Sequence, residues 1–250
     1  MQPFLSSPPV PVKEQAMRIL ALAAHPDDLE ILCAGTLVRF VAEGHDVVMC
    51  HAAKGDRGSF VHTSEEIATI REGEARRAAE IAGADYVSLG LRDTEIDASD
   101  PEQRRAVVDL VRDVRPELII THYPADYMSD HNELSKLVFD CSFHATVPLL
   151  ETGKPHHDVV APIYYMDTLM GVGFQPVDYV DVSEVIETKV AMLEAHASQV
   201  TWLRDHDGVD IVDQMRTMTR FRGQQCGVEY AEGFVPCRTW LRTRPRRSLP

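Results

Sequence analysis

The sequence has no CxxC pair, no apolar run near the roughly 18 residues that span a bilayer, and no basic excess. Its five cysteines, Cys33, Cys50, Cys141, Cys226 and Cys237, are scattered and odd in number. They argue against a disulfide framework or a cysteine zinc site, and for reduced thiols in a cytoplasmic protein. Twenty-five Lys and Arg against 39 Asp and Glu give a net charge of −14. Nucleic acid and anionic membrane surfaces are therefore poor partners. A metal or a neutral substrate suits such a chain, and a solvated acidic surface explains the charge equally well. The opening "MQPFLSSPPVPVKEQ" lacks the basic start and apolar core of a secretory signal. Its prolines and serines make residues 1–15 a loose arm ahead of a single domain over 16–250. With 44% apolar and 26% charged residues in 250, that domain has material for a sizeable core.

The apolar pattern alternates between two periods. "RILALAAH" (18–25), "DVVMCHAA" (46–53), "DYVSLGL" (85–91) and "PELIITHY" (116–123) are short apolar runs of the kind buried on both faces of a parallel sheet. Between and after them lie helical stretches over 35–44, 64–82, 101–114 and 131–147. Gly44 is placed to stop the first, Ser64 to start the second with Ile67, Ile70, Ala78 and Ile81 inward, and Pro101 to open the third. Shorter strands at 162–167 and 178–183 and helices near 184–199 and 208–222 complete the reading. Such alternation predicts an α/β fold, Rossmann-like, with a mostly parallel sheet and helices on both faces. Functional groups in such sheets collect outside the carboxyl ends of the strands. His25 ends the first strand and His122 the fourth, so the two ends can face one crevice.

One segment carries unusual chemistry. "LAAHPDDLE" (22–30) sets a histidine and three carboxylates directly after a buried strand. Two adjacent aspartates repel each other unless a cation is near. Imidazole nitrogen and carboxylate oxygen are ligands of divalent metals, and catalytic zinc keeps three protein ligands and one open position. His25 and Asp28, on a turn stiffened by Pro26, can point at one ion and leave Asp27 free to accept a proton. Capping of the following helix is the plain alternative for Asp27 and Asp28. A third ligand has to come from another loop, and "DYMSDHNEL" (126–134) offers His131. Asp130 beside it is placed to orient a ligating histidine. An N/O donor set suits zinc and equally iron, nickel or cobalt.

These segments resemble the PIG-L/LmbE-like family of zinc-dependent deacetylases, which remove acetyl from N-acetylglucosamine conjugates. The resemblance rests on "AHPDDLEILCAGTL" (24–37), "IREGEARRAAEIAGA" (70–84), "LGLRD" (89–93), "SDH" (129–131) and "AHASQ" (195–199). It implies an LmbE-like fold, one Zn²⁺ per chain on His25, Asp28 and His131, and Asp27 as general base. It also implies that Arg71 contacts the substrate sugar or its phosphate, that Asp93 binds sugar hydroxyls, and that the chain assembles as a trimer or hexamer. "GVEYAEGF" (227–234) matches a further family segment, read as wall or subunit contact.

One position departs from the family. Most members of known activity carry His-x-Asp-His, whereas this chain has Met128 in "MSDH", and a thioether donates no hydrogen bond to an oxyanion. His196 is the candidate replacement, with His122 and Tyr127 behind it. A helix histidine bonded to a backbone carbonyl is the equal alternative for His196. In "KGDRGSF" (54–60), Lys54 or Arg57 can meet an anionic substrate group, or simply belong to a solvated turn. The leading expectation is hydrolysis of an N-acyl bond in an amino-sugar conjugate. A metal-dependent hydratase of an unsaturated carboxylic acid is the second; it needs Lys54, Arg57 and Arg71 to face the metal together. A non-catalytic sugar-binding protein is the third.

Overall fold

In the computed structural model, residues 16–243 are described; the expected arm over 1–15 lies outside them, as does the end of the 16–250 domain. Seven strands form one sheet in the order β3-β2-β1-β4-β5-β7-β6. Strands β1 (Arg18–Ala23), β2 (Asp46–Ala53), β3 (Asp85–Leu91), β4 (Leu118–Thr121) and β5 (Ile163–Met166) run parallel. Beyond β5 the sheet turns antiparallel, with β7 (Ala231–Pro236) inserted between β5 and β6 (Asp178–Asp181).

Both faces of β1 are buried, which is why it reads as a continuous apolar run. Leu20 and Leu22 enter one core with α4 (Pro101–Val114) and α5 (Ser129–His144). Ile19, Ala21 and Ala23 enter the other, under α1 (Asp28–Leu32), α2 (Ala34–Ala42) and α3 (Ser64–Ala82). A third cluster joins α6 (Ile186–Glu194) to α8 (Ile211–Cys226), with α7 (Ala197–Asp207) between them in sequence.

Local chemistry accounts for the helix ends. Thr63, one residue ahead of the expected Ser64, caps α3 in a reciprocal box with Glu66, and Gly83 in the left-handed region closes it. Asp100 caps α4 ahead of Pro101, accepting from the Glu102 and Gln103 amides. The inner face of α3 differs from the expected one. Ile67 and Ala78 are buried, but Ile70 and Ile81 are 36% and 38% exposed. The buried stripe is Ile67, Arg71, Ala75, Ala78 and Ala82, spaced by three and four, so the arginine rather than Ile70 faces inward.

The C-terminal third also departs from expectation. The helix expected over 184–199 breaks after Glu194 and restarts at Ala197, and the last helix spans Ile211–Cys226. The last four residues of "GVEYAEGF", the segment read as wall or subunit contact, open the strand β7. A buried ion pair ties this region to α2. Lys189 of α6 lies 2.6 Å from Glu232 of β7, and Glu232 accepts from the Gly35 and Thr36 amides at the start of α2.

Candidate active site

The parallel topology brings the carboxyl ends of β1, β2, β3 and β4 to one edge, where a cleft of about 610 Å³ opens. Its floor is the segment after β1. His25 and Asp28 are locked together by their own turn, the His25 amide donating to Asp28 Oδ2 at 2.7 Å. His25 Nδ1 lies 3.5 Å from the same carboxylate, and its Nε2 faces Asp130 Oδ2 at 3.0 Å. From the start of α5, His131 brings Nε2 to 3.4 Å of Asp28 Oδ1. Behind it, Asp126 Oδ2 stands 3.2 Å from His131 Nδ1, and neither His131 nitrogen makes a formed hydrogen bond. Burial opposes the Asp28 charge, but His131 and His122 outweigh it and hold the carboxyl well below its usual range.

Asp27 sits in the left-handed region, with φ at 112°, although it is not glycine. Non-glycine residues held there carry on the order of 1–3 kcal/mol of strain. It occupies the cap position of α1 yet makes no capping bond, so the capping alternative does not hold for it. Its carboxylate is buried at the cleft, 3.5 Å from the Arg71 guanidinium. Arg71 also donates to the Pro26 carbonyl at 2.5 Å and lies 3.9 Å from Asp93. A Cβ on Gly55, whose φ is +72°, would sit on the Arg71 side chain, so glycine is required there.

The donor set fits a divalent metal. His25, Asp28 and His131 can bring one ligand atom each within 4.8 Å of one another, with nitrogen and oxygen donors, and both His131 nitrogens lack a hydrogen-bond partner. His122, Asp126 and His131 form a second such group. It shares His131 with the first, and His122 Nε2 already accepts the Ala24 amide at 3.0 Å.

Residues 20–142 match the family model described as PIG-L, GlcNAc-PI de-N-acetylase. The chain carries a PIG-L family domain over those residues. Among its relatives is the diacetylchitobiose deacetylase of Thermococcus kodakarensis, 28% identical over 88% of this chain and 83% of the relative. The N,N'-diacetylchitobiose deacetylase structure from Pyrococcus horikoshii superposes with a TM-score of 0.78 at 24% identity, over 89% of this chain and 84% of that one. The 4-carboxy-2-hydroxymuconate hydratase structure from Pseudomonas putida KT2440 also reaches 0.78, at 20% identity, over 92% of this chain and all of that one. Both structural likenesses concern the fold.

Within this PIG-L site, several expected residues stand differently from their sequence reading. Asp130 faces His25 and accepts the Thr94 amide at 2.7 Å; the carboxylate behind His131 is Asp126. A helix start explains the exchange, because Asp130 and His131 point about 100° apart around α5. His196 does not reach the cleft: it is fully buried, with Nε2 3.4 Å from Glu30, and His51 on the carboxylate's other side at 3.7 Å. The turn between α6 and α7 places it beneath the floor. Arg57 lines the cleft but pairs with Glu95 at 2.8 Å, and Met128 and Tyr127 line it near His131. Asp93 lines it too, while accepting the Gly55 amide at 2.8 Å, and thereby fixes the loop after β2. Lys54 is not among the lining residues. Sequence reasoning missed Asp126, Gln199 and Trp202. Asp126 was legible as a carboxylate five residues before His131, and Gln199 closes the "AHASQ" segment; Trp202 had no local signal.

Proposed function

We propose that this protein is a metal-dependent hydrolase that removes an N-acyl group, acetyl first, from an amino-sugar conjugate. The observation that carries the reading is Asp27: a buried, strained carboxylate that caps nothing, beside three convergent ligands. His25, Asp28 and His131 would hold the metal through His25 Nδ1, the Asp28 carboxylate and His131 Nε2. Zinc, the ion we propose, supplies acidification of water toward pKa 7 and polarisation of a carbonyl.

The chain's own groups do the rest. Asp27 takes a proton from the attacking water and returns it to the departing amine nitrogen, as a general base that becomes a general acid. Arg71 ties the Pro26 carbonyl and Asp27 together and so aims that carboxylate. Asp130 and Asp126 fix the orientations of His25 and His131. Asp93 and Arg57 bind the sugar from the loop side, and Met128 forms an apolar wall of the cleft. Deacetylase names among the relatives support the reaction class. The hydratase reading lacks its cationic triad, since Lys54 is outside the cleft and Arg71 is engaged by Pro26.

Among the described residues no helix is long and apolar enough to cross a membrane. Five unpaired cysteines support a cytoplasmic setting, and a trimer or hexamer is the assembly this reading expects, checked by mass in solution. The deciding experiment is acetate release from a panel of N-acetylated amino sugars, using metal-stripped and zinc-restored protein. Zinc-dependent release is expected; none from any member of the panel overturns the reading.

A further inference from the structure

The cleft has two chemically distinct ends. Around His25, Asp27 and Asp93 it is charged. Along α7 and the start of α8 it is lined by Trp202, Leu203, Val209 and Ile211, together with Leu169. At the mouth of this second end three rings gather. Trp202 and His206, one turn apart on α7, stack with centroids 4.5 Å apart and planes 13° apart. Phe60, from the loop after β2, packs on Trp202 at 4.4 Å and on His206 at 5.7 Å. Asp207 holds the His206 ring at 2.7 Å. Phe60 is nevertheless 70% exposed. An aromatic side chain left that open, and braced by two other rings, leaves apolar surface uncovered beside a substrate-sized cleft.

We propose that Trp202, braced by Phe60 and His206, is a stacking subsite for the second ring of the substrate, the ring beyond the sugar that carries the amide. This rests on the hydrolase reading and adds a substrate class to it: a conjugate whose aglycone presents an apolar ring face, either the C–H face of a second pyranose or an aromatic group. The same cleft joins the charged end to the rings, so one ligand bridges both. Each ring face covered by an aromatic partner adds affinity and fixes orientation. Phe60 also ties the loop bearing Arg57 and Gly58 onto α7, so loop position and the subsite are built by the same contact.

The chain has two tryptophans, which permits a direct test. In zinc-loaded Trp240→Phe protein, whose replaced residue is 87% exposed and away from the cleft, emission reports Trp202 alone. N-acetylglucosamine, diacetylchitobiose and phenyl N-acetyl-β-glucosaminide are titrated by fluorescence and calorimetry, with acetate release measured in parallel. We expect the two-ring ligands to change Trp202 emission, the larger response marking a saccharide or an aromatic partner. Trp202→Ala should weaken them about fivefold or more beyond its effect on the single sugar, with Trp202→Phe restoring most of the loss. Acetate release that Trp202→Ala lowers equally for all three substrates, without an emission change, overturns the subsite and leaves the hydrolase reading standing. No binding and no acetate from any of them overturns both.

Discussion

Asp126→Asn separates orientation from ligation at His131. The substitution keeps size and leaves the loop anchored, because Asn132 clamps the Asp126 backbone from both sides, at 2.7 Å to its amide and 2.9 Å to its carbonyl. What changes is the group 3.2 Å from His131 Nδ1. A carboxylate there favours a proton on Nδ1 and a lone pair on Nε2, the nitrogen that faces Asp28. An amide presents either an oxygen without charge or an NH₂ that demands the opposite tautomer. Loss of such a supporting carboxylate lowers metal affinity about 10- to 100-fold, or about 1.4–2.8 kcal/mol at 1.4 kcal/mol per decade. Competition for zinc against a chromophoric chelator measures this directly, with a thermal melt as control for folding. Affinity within about twofold of the parent would refute the orienting role. A loss as complete as that of His131→Ala would instead make Asp126 a ligand, in the group it forms with His122 and His131.

Three other outcomes are expected. His25→Ala should lose both metal and activity, read by elemental analysis and acetate release. Asp27→Asn should keep its metal while turnover falls by about 10²-fold or more; a metal-free variant would make Asp27 a ligand. Lys189→Met should destabilise the fold without touching metal content. It strands Glu232, which is 3% exposed but retains donors from Gly35 and Thr36. The cost should thus lie at the low end of the 3–5 kcal/mol for breaking a buried pair. That is about 6–12 °C in a calorimetric melt at 2–4 °C per kcal/mol.

The parallel core was legible because β1, β2 and β4 are buried on both faces and announce themselves as apolar runs, while β3 at the edge is only partly buried. The convergence of His25 and His131 followed from it, since β1 and β4 are sheet neighbours and their ends share an edge. Strand β7 was hidden: "AEGFVP" contains a glycine, a buried glutamate and a proline, and its place depends on Lys189 and on β5 and β6, none of them near in sequence. His196 was misplaced for a related reason. Its motif made it a candidate but did not give its depth, which is set by a two-residue break between helices that periodicity does not record. Arg71 shows the converse case. A charged residue in a helix reads as surface, yet Gly55, which has no side chain, leaves room for Arg71 to pack against its turn.

The backbone at Asp27 has a consequence for how this protein ages in a lineage. Folding alone would choose glycine at that position, and the adjoining helix would be as well served by a residue that caps it. Chemistry and stability therefore pull one codon in opposite directions. On the base role proposed for Asp27, a copy released from selection has a downhill route open to it, in which the substitution that ends catalysis also relaxes the chain. Descendants that have lost the reaction would be recognised first at residue 27, with the metal ligands around it still intact.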